Sequence, residues 1–227
     1  MVLAFFKNNS DDGNFDHIVT SAVAMLADAR HSFDLATLVL LTDADPAAVA
    51  DDVRDTDQRI NLAEQELRSE LIVHVSVQGT ADIGSVLGFT LLLKKIERIG
   101  DQAKNILDLA ENGVTLVGRD DIEELLVERQ RLSELFADAG ALLSDPDPSE
   151  DAITEYADRA TNAMAEYQAT IDSCMTSDRP GREVVPLAIY FRYLRRIVAN
   201  LVGVVRSSNE PIPTIDYLED GMVDTED

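Results

Sequence analysis

Between Phe15 and Leu41 the apolar residues Ile18, Ala22, Met25, Ala29, Phe33, Ala36 and Leu40 follow one another at steps of three and four. That spacing keeps a single apolar stripe on one side of an α-helix, and the run is far too long for a strand. A second stripe, Val49, Val53, Ile60, Ala63, Leu67, Leu71 and His74, follows Asp45-Pro46, an N-cap residue with proline at the first helical position, and should end near Gln78-Gly79. A third runs from about Ala81 through Leu92, Ile96, Ile99, Ala103, Ile106 and Ala110 to Asn112-Gly113, a pair prone to the left-handed backbone that stops helices. At 1.5 Å per residue each of these helices would be ~40–50 Å long.

The second half repeats the plan. Asp120 with Glu123 has the spacing of a capping box before a helix through Leu125, Leu132, Leu135 and Leu142. Asp147-Pro148 with Glu150 opens the next helix as Asp45-Pro46 did, and a last helix follows Pro180-Gly181 to about Ser208. Two short echoes align the halves: Ile96-Glu97-Arg98-Ile99 with Leu194-Arg195-Arg196-Ile197, and Asp57-x-x-x-Asn61 with Asp158-x-x-x-Asn162. The expected fold is therefore all-α, two three-helix bundles in tandem. Residues 14–113 form the first and 119–208 the second, between an N-terminal arm (1–13) and an acidic, mostly unstructured tail (209–227).

Charge narrows the partners. With 19 Lys+Arg against 43 Asp+Glu the net charge is −24, a surface that repels nucleic acid and anionic lipid. Only four residues are Lys, and Trp is absent; with the acid excess this resembles cytosolic proteins of salt-accumulating microbes and predicts a salt-requiring fold. The longest nearly uncharged runs, 83–93 and 197–205, fall far short of the ~20 residues that cross a bilayer. The N-terminus lacks the apolar core and cleavage site of a signal peptide, and the single cysteine allows no intrachain disulfide, so a reducing cytoplasm fits.

No enzyme is recognisable. Gly84-x-x-x-Gly88 lacks the strand and the Lys-Ser/Thr of a nucleotide loop and is better explained by close helix packing. His17, His31 and His74 are scattered, His74 reading as a core or boundary residue, and Cys174 has no basic neighbour at helical spacing to lower its pKa. The informative segment is Lys94 to Asp108, KKIERIGDQAKNILD. Glu97, Asp101, Asn105 and Asp108 share one stripe of the third helix, opposite the Ile96/Ile99/Ala103/Ile106 stripe, and are expected to face out of the bundle. Carboxylates four apart repel by a few tenths of a kcal/mol unless a cation lies between them. An oxygen-rich surface site without His or Cys suits a weakly held, exchangeable Mg²⁺, Ca²⁺, Mn²⁺ or iron ion. On spacing alone, the solvated face of a very acidic protein is the commoner explanation.

ERIGDQAKNI closely resembles the helix signature of the phosphate-uptake regulator (PhoU) family, an E(D)xxxD motif followed by Asn, and Asp57 to Asn61 resembles that family's second-helix pattern. The resemblance extends to the architecture, since family proteins are tandem three-helix bundles of about this length whose acidic motifs can hold a surface metal cluster. It implies Glu97 and Asp101 as metal ligands, with Asp57 and Asn105 as neighbours, and an ion such as Mg, Mn, Fe, Zn or Ca.

The second half departs from the pattern. Arg195 stands in the Glu position and Ala199 in the Asp position, so no carboxylate pair is left there. Arg192, Arg195 and Arg196 instead form a cationic patch, either salt-bridged to acidic helices or free to dock an acidic partner or phosphate-bearing group. By its resemblance the chain is expected to be a cytoplasmic, dimeric regulator that restrains phosphate uptake by contacting a phosphate ABC transporter's ATPase and, in bacteria, a sensor histidine kinase. Two alternatives remain open: an accessory subunit of a sodium- or proton-coupled phosphate permease, and a structural helical dimerisation module.

Overall fold

The computed structural model describes residues 14–79 and 83–207. The expected arm and tail, and the start proposed for the third helix at Ala81, lie outside the described residues. Six long helices make up the rest: α1 (Asn14–Leu41), α2 (Ala50–Gln78), α3 (Ile83–Glu111), α4 (Ile122–Ser144), α5 (Glu150–Met175) and α6 (Gly181–Ser207). No strand occurs among the described residues.

The stops follow the sequence closely, the starts less so. Gly79 at φ 84° and Gly113 at φ 82° end α2 and α3 in the left-handed region that only glycine enters cheaply. Asp45 caps, but its carboxylate accepts from Ala47 N at 3.0 Å to close a short 3-10 turn over Pro46–Ala48, and α2 begins only at Ala50. The expected capping box at Asp120 does not form. The residue before α4 is Asp121, whose side chain makes no cap; Arg119 engages both its oxygens, at 2.7 and 2.8 Å, and a charge-assisted pair outcompetes a backbone N–H. At α5 the cap is Ser149, accepting from Ala152 N at 3.2 Å, in place of Asp147.

The three helices of each half pack on one another, α1 with α2 and α3, and α6 with α4 and α5. The halves are not beads on a string. α1 also lies along α4 and α3 along α6, so one apolar cluster runs through both. Phe33 of α1 and Phe136 of α4 are both buried with ring centroids 5.4 Å apart. A part-buried polar network crosses the same seam: Arg129 donates to Asp34 Oδ1 and Thr37 Oγ1, each at 3.1 Å, and Arg30 to Ser133 Oγ at 3.0 Å.

At the other seam the backbone of α6 comes so close to Lys95 of α3 that a Cβ on Gly203 would stand 2.6 Å from Lys95 Cε, with Lys95 only 3% exposed. Close packing through glycine is thus real, but at Gly203 and at Gly100. Of the pair expected to serve that role, a Cβ on Gly84 would meet nothing within 4 Å, while Gly88 is buried. No helix of the described residues is long and apolar enough to cross a membrane.

Candidate functional site

The acidic site is assembled by the approach of α2 to α3. Gly100, in the middle of the ERIGDQ motif, permits it: a Cβ there would stand 3.1 Å from Ile60 Cδ1 of α2. Because Ile60 sits against Gly100, Asp57 one turn earlier on α2 is carried beside the next turn of α3. There Lys104 Nζ lies 2.8 Å from Asp57 Oδ2 and 3.2 Å from Asp101 Oδ1. Asn61 Nδ2 adds a long hydrogen bond to Asp57 Oδ2, 3.4 Å. Burial alone would lower the Lys104 pKa, but the hydrogen bonds and charges of Asp57 and Asp101 outweigh it and hold the ammonium above the usual lysine value.

The cation needed between the carboxylates is therefore supplied by the chain itself. Lys104, three residues after Asp101, was the signal in the sequence that the acidic stripe left unused.

Asp101 faces outward as expected, its side chain 42% exposed. Glu97 does not. Its side chain is only 12% exposed, and Oε2 lies 2.6 Å from Lys94 Nζ. The reason is that α3 has three helical neighbours, α1, α2 and α6, where a lone three-helix bundle supplies two, which narrows its solvent-facing side. Asn105 is half-buried and makes no hydrogen bond among the described residues.

These donors do not fit a metal ion as they are arranged. Hard cations take six to eight oxygens. Here two carboxylates close on an ammonium, and Glu97 is engaged by Lys94. Among the described residues, no three His, Cys, Asp or Glu side chains come together in a group able to hold a metal.

The cationic patch has a different character. Arg192 and Arg196 are exposed, Arg195 is half-buried, and none of the three forms an ion pair among the described residues. Many other arginines are paired, Arg54 with Glu111, Arg59 with Asp28, Arg131 with Glu166 and Arg159 with Asp138, while Arg182 is exposed and like the patch forms no ion pair among the described residues. The salt-bridged explanation of the patch is thus not what the structure shows. His31 meets Asp52 at 3.0 Å, and that bond holds the Asp52 carboxyl below its ordinary value; His74 is buried. Burial pushes the Cys174 thiol up, opposite to the shift a nucleophile needs.

The PhoU domain family model matches residues 22–110, the span that holds Asp57, Asn61, Glu97, Asp101 and Lys104. Residues 22–110 are thus similar in sequence to the PhoU domain. The fold extends the likeness beyond that span. The crystal structure of PhoU from Pseudomonas aeruginosa superposes with a TM-score of 0.73 at 19% identity, covering 88% of this chain and 97% of that one. The phosphate transport system regulatory protein PhoU from Streptococcus pneumoniae superposes with a TM-score of 0.66 at 15% identity, covering 92% and 97%. No curated protein matches the sequence significantly. The chain thus has the PhoU fold across both halves and the family's sequence signature in the first.

Proposed function

We propose that the chain regulates phosphate transport by binding a component of the transport machinery, without turnover. The observation that carries this reading is the PhoU domain match over residues 22–110 set within a whole-chain PhoU fold. The partner is the ATPase of a phosphate ABC transporter, with a phosphate permease as the alternative, and Arg192, Arg195 and Arg196 are proposed as contact residues because they form no ion pair among the described residues. A sensor kinase is a further candidate for that contact, and a homodimer in the cytoplasm is the working state.

A metal ion enters this proposal only in one form. To use Asp57 and Asp101 it must displace Lys104, with Glu97 and Asn105 as the nearest further oxygen donors along the helix. Deleting the gene and measuring phosphate uptake in phosphate-replete cells tests the regulatory role. Derepressed uptake is expected; unchanged uptake favours a structural helical dimerisation module.

A further inference from the structure

The two halves share a plan, so the seam between the first two helices of each can be compared. α1 and α2 close on each other along their length. α4 leans instead on α1 of the other half and touches α5 little. A groove with a volume of about 530 Å³ opens between α4, α5 and α6.

Its floor is apolar and aromatic. Tyr167 and Phe191, tilted against each other with ring centroids 5.5 Å apart, are buried at its base, and Val127 on its lip is 64% exposed. Its rim is acidic, with Glu123, Glu124, Glu128 and Glu166. Glu166 is engaged by Arg131, but Glu123 and Glu124 are exposed and form no ion pair among the described residues. At the groove's base the buried Tyr167 hydroxyl lies beside the Glu128 carboxylate, whose Oε1 is 3.6 Å from Arg131 Nη1.

We infer that this groove docks a basic amphipathic helix of a partner protein, its apolar ridge on Val127, Tyr167 and Phe191 and its Lys or Arg side chains on the glutamate rim. Charge selects this occupant. An anionic membrane and the acidic residues 209–227 of the chain itself carry the wrong sign, and the one cationic helix patch described for a second copy, Arg192, Arg195 and Arg196, is the one proposed above for the transporter contact. Lysine and arginine lay their aliphatic stems on apolar floor while the charged heads reach the rim. The inference rests on the reading that the chain works by binding a protein, and it adds the chemistry of one contact surface.

Generic attraction between a cationic peptide and an acidic protein is the effect to exclude. The test is fluorescence anisotropy with a labelled Leu/Lys amphipathic helical peptide and its Leu/Glu counterpart, at a salt concentration where circular dichroism shows the full chain folded. The Leu/Lys peptide is expected to bind and the Leu/Glu peptide not. Val127→Glu adds a negative charge on an exposed position, so generic attraction predicts equal or tighter binding, whereas docking against the apolar lip of the groove predicts a loss of at least about tenfold. Glu123→Lys with Glu124→Lys is expected to weaken binding similarly, while Asp55→Lys with Glu66→Lys on α2 changes it less than about threefold.

The inference is overturned by Val127→Glu binding as tightly as wild type, by equal losses from the two lysine pairs, or by no binding of the Leu/Lys peptide. Phosphate uptake in the deletion strain is scored separately. Derepressed uptake with a Val127→Glu chain that binds normally sinks the groove and keeps the regulator, and unchanged uptake with groove-dependent binding does the reverse.

Discussion

The α2–α3 seam of the first half and the α4–α5 seam of the second both carry carboxylates to the surface, and they handle them in opposite ways. At the first, a glycine lets the helices close and Lys104 is drawn between Asp57 and Asp101. At the second, the helices meet through long side chains, Arg131 to Glu166 and Arg159 to Asp138, and further glutamates line a groove between them. α6 of that half also carries Arg192, Arg195 and Arg196, the first and last exposed and none ion-paired among the described residues, at the place where α3 of the first half carries its acidic motif. Buried polar atoms without a hydrogen bond occur in both halves, Ser32 Oγ and Arg68 Nε in the first and the Tyr156 and Tyr190 hydroxyls in the second. What sets the second apart is the groove rimmed by Glu123 and Glu124 and the arginines of α6, since exposed apolar side chains such as Leu62, Ile72 and Val73 occur in the first half as well.

The strongest way to break this comparison is to show that the halves are separate bodies. Phe33→Ala cuts the α1–α4 seam and is expected to cost about 3–5 kcal/mol. Urea unfolding should show one transition for the whole chain, shifted as a unit; two transitions of which only the first moves would contradict the shared core. Next comes the α3–α6 seam, where Gly203→Val forces Lys95 aside and is expected to destabilise by about 1–3 kcal/mol, while Gly84→Val, in open space, lacks that clash; thermal melts compare the two.

Lys104→Met leaves Asp57 and Asp101 facing each other and is expected to cost about 1 kcal/mol. The same variant sharpens the metal question. Added Mn²⁺ should raise its melting temperature and leave wild type unmoved; an equal rise in both would show that Lys104 does not guard the site.

A smaller effect concerns pH. Arg119, hydrogen-bonded to Asp121, holds its carboxyl below the ordinary value, so the contribution is present above the unfolded carboxylate range and is lost as pH falls through the folded value. Asp121→Asn should therefore be less stable than wild type near neutrality, with the difference closing in acid and unchanged toward alkaline pH. Smallest of all, Arg192→Ala, Arg195→Ala and Arg196→Ala should each change stability by less than about 0.5 kcal/mol, since no ion pair is broken.

The helices and their register were legible because the apolar stripes are long and regular: Ile18 through Leu40, and Ile96 through Ala110, are buried as their spacing requires. Glycine stops at 79 and 113 were legible for a similar local reason. What periodicity could not show is which outward face meets another helix. Glu97 and Asp101 share a stripe, yet contacts from outside the helix cover one and leave the other open. Capping patterns misled where a stronger local partner existed, as Arg119 did for Asp121. The α4–α5 groove had no local signature, because it results from α4 choosing α1 as its neighbour, a contact between residues such as Arg129 and Asp34 that lie far apart in the chain.

Co-purification of the full chain from phosphate-replete cells, with partners identified by mass spectrometry, tests the binding account most directly. The account predicts recovery of a phosphate transporter ATPase or permease, and its loss when Arg192, Arg195 and Arg196 are changed together to glutamate. Recovery of no phosphate-transport protein, with the chain folded and abundant, would contradict it.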